Sequence, residues 1–117
     1  MPKVISVHEY ILKPDVPPDQ FENAVREAEQ RGLLALPGLV GYHFVRGIKG
    51  PRASQFSAIW IYESRVAWEA LWGTVDRPKS KHEYPRNWLE WEDKILAPLL
   101  AQESDTITFN SHEELRL

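Results

Sequence analysis

The sequence contains no cysteine and a single methionine. The lack of cysteine excludes disulfides, iron–sulfur clusters, thiolate nucleophiles and cysteine-based zinc sites. It also lacks any apolar run near the roughly 20 residues that a membrane helix needs, so no membrane partner is expected. The first residues lack the apolar core and cleavage site of a signal peptide, and a cytoplasmic location is the default expectation.

A surplus of positive charge is also missing. The chain has 14 Lys+Arg against 17 Asp+Glu, for a formal net charge of -3, and its basic residues are scattered. A nucleic-acid partner is therefore not expected, because such proteins normally present a basic face. Neither a phosphate-binding loop, a zinc motif nor a Ser/His/Asp constellation is visible.

What the chain does have is tryptophan. Five of its 117 residues are Trp, 43% are hydrophobic and 26% are charged. This length and composition are typical of one globular domain with a modest core, spanning residues 1–117. Five large indoles need a core or a pocket to bury them.

Periodicity and turn residues predict the order strand, helix, strand, strand, helix, helix, strand. The predicted strands are 3–13, 39–48, 55–63 and 106–110, and the predicted helices are 18–34, 65–73 and 85–101. Residues 74–84 are expected to form a loop or broken helix, and 111–117 a tail. This is the split βαβ pattern of a ferredoxin-like α+β fold, with a four-stranded antiparallel sheet and helices on one face.

The second face of this sheet is expected to be covered. On the third strand, Ile59 and Ile61 oppose Phe56, Trp60 and Tyr62, so neither face is polar. An exposed apolar patch of this size is rare on a soluble monomer. A homodimer that packs two sheets face to face around a two-fold axis would cover it, and a small apolar ligand would fit inside the assembly.

The segments Leu36–Gly41 and Ile59–Ser64, the tryptophan-rich helix after them, and the helix ending Leu96-Ala97-Pro98-Leu99-Leu100 carry a family resemblance. With them the chain resembles the dimeric α+β barrel superfamily, and within it the small antibiotic-biosynthesis-monooxygenase-like proteins. The resemblance implies a dimeric barrel. It also implies activities that include cofactor-independent oxygenation of polycyclic phenols, lactone isomerisation and haem degradation.

His8 is the leading candidate for catalysis, beside Ser6 and Tyr10 on the mixed face of the first strand. An imidazole in an apolar cavity can act as a base on an acidic phenol or enol, with Tyr10 or Tyr42 positioning a carbonyl. The alternative is a half-buried histidine satisfied by backbone or water. His43 faces either the cavity or the opposite side, which the strand pattern does not decide.

The spacing of Trp72 and His82 is similar to that in haem-degrading relatives, but their strand asparagine is replaced here by His8. The polar segment around His82 favours a solvated loop, so no cofactor is expected and haem is the minor alternative. Trp60 and Trp72 either wall an aromatic pocket or pack the core. The leading hypothesis is a small oxygenase-like or isomerase-like enzyme for an apolar aromatic or enolisable substrate, the second a non-catalytic ligand-binding dimer, and the third a haem protein.

Overall fold

A computed structural model describes all residues, 1–117. The strands are β1 (Val4–Tyr10), β2 (Leu39–Arg46), β3 (Phe56–Tyr62) and β4 (Thr108–Glu113). The α-helices are α1 (Pro18–Gln30), α2 (Arg65–Trp72) and α3 (Arg86–Leu89), and α3 continues without a break into a π-helical segment, Glu90–Leu96. Single 3₁₀ turns lie at Lys81–Glu83, Ala97–Leu99 and Ser104–Thr106. None of the helices is long and apolar enough to cross a lipid bilayer.

The four strands form one sheet in the order β2-β3-β1-β4, with every neighbouring pair antiparallel. This is the ferredoxin-like order, and it confirms the predicted fold class. β1 is central and pairs Ser6 with Trp60 on one side and with Ser111 on the other. Because side chains alternate along a strand, these registers place every even-numbered residue of β1, β3 and the facing part of β2 on the side that the helices cover.

Local chemistry explains where the helices begin and stop. Pro18 occupies the first turn of α1, where its missing N–H costs no hydrogen bond. The Ser64 hydroxyl caps α2 by accepting the Ala67 backbone N–H at 3.1 Å. Gly73 ends α2 with a φ of +85°, and a Cβ there would lie 2.5 Å from the Arg77 carbonyl oxygen. Only glycine therefore fits the turn that leads into the 73–84 loop.

Two sequence predictions needed correction at the carboxyl end of the chain. The predicted helix 85–101 is helical over most of its length, but its second half has the wider π-turn and Pro98 falls in the closing 3₁₀ turn. The last strand is Thr108–Glu113 and not 106–110, so three residues of the predicted tail 111–117 pair with β1. Backbone pairing with β1 sets the bounds of β4, since all six of its residues are exposed and carry no burial pattern.

The core lies between the sheet and the helices. Its largest fully buried side chains are Trp60, Trp91, Tyr10, Tyr62, Phe21, Leu34 and Leu96. The other face of the sheet carries Ile5, Val7, Ile59 and Ile61, all only partly buried in the single chain. The expectation that both faces of the central strands are apolar is thus confirmed.

Candidate functional site

A cavity of about 480 Å³ lies between the β1–β4 half of the sheet and the segments that follow α2. The sheet supplies its floor, which includes Ser6, His8, Tyr62, Phe109 and Ser111. Helix α2, the 73–84 loop, α3 and the π-helical segment supply its walls and roof, which include Trp68, Trp72, Tyr84, Trp88 and Glu92. The cavity therefore combines aromatic side chains with a comparable number of polar and ionisable ones.

The register between β1 and β4 places the floor residues side by side. His8 stands opposite Phe109, and Ser6 stands opposite Ser111, so adjacent strands supply two pairs to the same surface. The Ser6 and Ser111 hydroxyl oxygens are 2.7 Å apart and share a hydrogen bond. Because β1 pairs with β4, the sheet positions His8 on the cavity floor.

His8 is a partly buried imidazole with free hydrogen-bonding capacity. Its ring lies 6.0 Å from the Trp60 and Trp88 rings and 5.8 Å from the Phe109 ring, measured between centroids. Its Nδ1 is buried and has no hydrogen-bond partner in the protein. Burial lowers the pKa of His8 from 6.5 to about 4, because no nearby charge compensates the desolvated imidazolium. His8 is therefore neutral at physiological pH.

Glu92 is the second ionisable group on the cavity wall. It is only 7% exposed and belongs to the π-helical segment. Burial raises its pKa from 4.5 to about 7, while the Trp88 side chain and the charge of Lys81 act in the opposite direction. Sequence reasoning missed Glu92. The available signal was its spacing, four residues after Trp88 and four before Leu96, which puts a carboxyl on an apolar helical face.

Lys81 lines the cavity at its edge, where it joins two acidic residues. Its ammonium lies 2.8 Å from both the Asp93 and the Asp105 carboxylates. Both acids raise the pKa of Lys81, so it is permanently charged at physiological pH. This cluster ties the 73–84 loop to the π-helical segment and to the turn before β4.

Edge-to-face aromatic contacts build the walls. The Trp72 ring lies 5.0 Å from Tyr84 and 5.3 Å from Trp88, between centroids. Offset and edge-to-face pairs are the favoured arrangements of aromatic rings, so these walls are well supported without a ligand. Pockets lined in this way suit apolar, planar molecules.

Three of the eight predicted site residues meet at this cavity: Ser6, His8 and Trp72. Trp60 is fully buried behind the floor, 5.0 Å from Trp88 between ring centroids, which agrees with the core-packing alternative. Tyr10 is buried against Phe21 at 5.7 Å between ring centroids, and its hydroxyl has no partner. Tyr10 does not line the cavity, and Tyr62 is the sheet tyrosine that does.

The remaining three predicted residues lie elsewhere. Tyr42 donates a hydrogen bond from its hydroxyl to the Glu29 carboxylate at 2.7 Å, outside the cavity. His43 is exposed and pairs in register with Ile59, so it lies on the open face of the sheet. His82 is exposed in a 3₁₀ turn and does not line the cavity, so it does not fit an axial ligand for a haem bound there. No group of three or more His, Asp or Glu side chains is arranged to hold a metal ion.

No known family model matches the chain, and no curated protein resembles it significantly in sequence. Solved structures do resemble it. A putative antibiotic biosynthesis monooxygenase from Caulobacter crescentus CB15 superposes with a TM-score of 0.65 at 12% identity, over 98% of this chain and 92% of that one. SnoaB, a cofactor-independent oxygenase from Streptomyces nogalater, gives 0.62 at 13% identity, over 100% and 97%.

A dimeric ferredoxin-like protein of unknown function from Thermobifida fusca gives a TM-score of 0.59 at 16% identity, over 96% of this chain and 91% of that one. The chain thus shares the fold of these proteins, and the ferredoxin-like fold that the sequence resemblance implied is confirmed. At these identities the likeness concerns the fold, and the reaction has to be argued from the cavity.

Proposed function

We propose that this protein binds an apolar aromatic or enolisable molecule in the cavity and catalyses monooxygenase-like or isomerase-like chemistry on it. The observation that carries the proposal is the position of His8, with its unpartnered Nδ1, among aromatic side chains on the floor of a cavity of about 480 Å³. Ligand cavities of roughly 300–1,000 Å³ accommodate drug-sized molecules, so a two- or three-ring substrate is of suitable size.

The imidazole of His8 would bind the substrate oxygen. With a pKa lowered to about 4, His8 is a weak proton acceptor, but it offers one donor and one acceptor nitrogen. A phenolic hydroxyl or a ketone oxygen placed beside Nδ1 would satisfy a buried polar atom that has no partner in the protein. Tyr62, which burial keeps protonated by raising its pKa, is placed to donate a second hydrogen bond.

The chemistry requires a stabilised carbanion. Loss of a proton from a carbon next to a carbonyl leaves an electron pair that is delocalised as an enolate, and isomerisation returns the proton elsewhere. In the oxygenase reaction dioxygen is the oxidant: a methylene becomes a carbonyl with one oxygen atom, and the other oxygen atom leaves as water. The shared fold with an oxygenase that is described as cofactor-independent supports this reading.

Oxygen uptake tests the proposal. A panel of hydroxyanthrones and hydroxyquinols should consume dioxygen in the presence of the protein, and His8→Ala should lower the rate at least about tenfold because it removes the substrate's hydrogen-bond partner. His82→Ala, in the exposed turn, should leave the rate unchanged. Equal rates for His8→Ala and the unmodified protein would refute the role of His8, and tight binding without uptake would favour a non-catalytic ligand-binding protein.

We further propose that the protein acts as a homodimer through the open face of the sheet. Ile5, Val7, Ile59 and Ile61 form an aliphatic patch there, and the structural neighbour from Thermobifida fusca is described as dimeric. Ile59→Lys should convert the dimer to a monomer in sedimentation velocity, since it would bury an unpaired charge between the sheets. Val66→Lys, at a position 67% exposed on α2, should stay dimeric. An unmodified protein that sediments as a monomer would refute the dimer.

A further inference from the structure

The carboxyl group of Glu92 has no cationic partner, and its interaction with the protein is with the Trp88 side chain, which favours the charged carboxylate. It is buried on the cavity wall, and it forms no ion pair. Lys81, the nearest cation, is already held at 2.8 Å by both Asp93 and Asp105. Burying a carboxyl without a dedicated cation costs free energy, so a packing role alone would favour an apolar side chain at this position.

The backbone geometry around Glu92 also indicates a functional role for this residue. The helix changes from α to π geometry at Glu90 and keeps that geometry to Leu96, with Glu92 inside the wide turn. Single π-turns within helices are rare and are frequently found at functional sites. Trp88, which contacts the His8 ring edge-on at 6.0 Å between centroids, stands one turn before Glu92 on the same wall. His8 and Glu92 therefore flank one indole at the same cavity.

We infer that Glu92 is the general base of the cavity and removes the acidic proton of the substrate while His8 holds the substrate oxygen. This inference rests on the proposed function and names the group that performs its first step. The substrate C–H bond breaks, its electron pair stays on the substrate as an enolate, and the proton forms an O–H bond with a Glu92 carboxylate oxygen. No oxidant is needed for this step.

The groups around Glu92 set its proton affinity. Lys81 favours the charged carboxylate, whereas Asp93 and Asp105 disfavour it. Burial raises the pKa of three tyrosines, Tyr10, Tyr62 and Tyr84, and the negative charge of Glu92 adds to that increase. All three therefore stay protonated. Burial brings the pKa of Glu92 to about 7, which is close to the value that makes a carboxylate an effective base at neutral pH. His8, with a pKa of about 4, is a much weaker acceptor.

Hydrogen–deuterium exchange without oxygen isolates this step. A dihydroxyanthrone is incubated with the protein in D₂O under argon, and NMR follows the loss of its methylene protons. The unmodified protein should accelerate exchange, with a rate that rises with pH and levels off above about 7, as one carboxyl ionises. Glu92→Gln should be slower by at least about a hundredfold, because general-base catalysis contributes roughly 10²–10⁴ in rate.

Two further variants make the test selective. Glu90→Gln, on the same segment but paired with Arg31 in solvent, should exchange at the normal rate. Glu92→Asp keeps a carboxyl and should retain a slower, still pH-dependent rate, which also covers the case that Glu92→Gln does not fold. Exchange by Glu92→Gln within about twofold of the normal rate, or with the same pH inflection, would overturn the inference.

The same experiment separates this inference from the proposed function. If exchange depends on Glu92 but no oxygen is taken up when air is admitted, Glu92 is the base and the oxygenase proposal is refuted. Anthrone binding without exchange in the unmodified protein would overturn Glu92 as the base and support the non-catalytic alternative. Oxygen uptake that is unaffected by Glu92→Gln would overturn the inference and retain the oxygenase.

Discussion

The helix-covered side of the sheet has two halves that are both aromatic but packed differently. Under α1, Phe21 stacks on Phe56 at 4.4 Å between centroids and lies 5.7 Å from Tyr10 and 6.2 Å from Phe44. In the half beside β4, the aromatic rings stand edge to face around a cavity of about 480 Å³. In the first half, here called the closed half, the rings pack on one another beside a groove of about 330 Å³ lined by Phe21, Phe44 and Phe56. In the second, the open half, they surround the cavity of about 480 Å³.

The difference lies in which elements cover each half. Helix α1 presents Phe21 and Ala28, both fully buried, directly to the sheet. The other half is covered by the short α2, the 73–84 loop and the π-helical segment, which meet over the cavity and leave its centre unfilled. Aromatic content therefore does not distinguish a core from a pocket, and the spacing of the covering elements does.

The largest expected difference is in stability. Phe21→Ala should lower the free energy of unfolding by about 3–5 kcal/mol, because it leaves a void in the closed half. Phe109→Ala, at a position 59% exposed on the cavity floor, should cost less than about 1 kcal/mol. Urea denaturation of both variants measures this, and equal losses would show that the two halves are packed alike.

The next largest effect is the pH dependence of stability, which should come from the two ionisable groups of the open half, Glu92 and His8. The pKa of Glu92 is raised from 4.5 to about 7, so the stability that comes from its neutral form is present below 4.5 and is lost as pH rises to 7. His8, with a pKa lowered from 6.5 to about 4, behaves oppositely: its stabilisation is present above 6.5 and is lost as pH falls to 4. Each change corresponds to about 3 kcal/mol.

Two variants test these opposite effects of pH on the free energy of unfolding. Glu92→Gln should be more stable than the unmodified protein by up to about 3 kcal/mol above neutrality, and no more stable near pH 4. His8→Gln should show its advantage only on the acidic side. Thermal unfolding across the pH range measures both effects. A constant offset between each variant and the unmodified protein at every pH would mean that neither group is held in its neutral form.

Alternation and turn residues were enough to predict the order of the elements and the sheet. The even-numbered face of β1 was recognised as mixed, and that mixture of Ser6, His8 and Tyr10 is the face that meets the helices. The pattern could not say that Tyr10 would be closed over by Phe21 while His8 faced a cavity. That distinction depends on how much of the sheet α1 covers, and tertiary packing, not the local sequence pattern, sets this.

Glu92 was hidden for a related reason. The apolar stripe at Trp88, Trp91, Ile95 and Leu99 predicts an α-helix, and helical spacing places Glu92 beside that stripe without saying whether its carboxyl is buried or reaches solvent. In the structure Glu92 is 7% exposed and lies within the π-turn from Glu90 to Leu96. Propensity does not encode such a turn, since packing against the sheet and loop selects it.

Filling the cavity should have only a small effect on stability. Ser111→Leu places an apolar side chain on the cavity floor and should change the free energy of unfolding by no more than about 1 kcal/mol, because the lost Ser6 hydrogen bond and the gained contacts offset each other. Thr108→Leu, whose register position is on the opposite face of β4, is the matched control. A loss of several kcal/mol on chemical denaturation would mean that no space exists there.

The smallest effect is expected at the edge of the cavity. Lys81→Met removes partly exposed ion pairs with Asp93 and Asp105 and should cost less than about 1 kcal/mol. It also removes the cation that lowers the pKa of Glu92, so the pH inflection of anthrone exchange should move upward. A downward or unchanged inflection would show that Lys81 does not act on Glu92.

Anaerobic calorimetric titration with a dihydroxyanthrone tests the central claim most directly, that the open half is a binding site for an apolar aromatic ligand. The unmodified protein and Thr108→Leu should bind one equivalent per chain, and Ser111→Leu should bind at least about tenfold more weakly, a loss of about 1.4 kcal/mol. Equal affinity of Ser111→Leu and Thr108→Leu, or no binding by the unmodified protein, would contradict it.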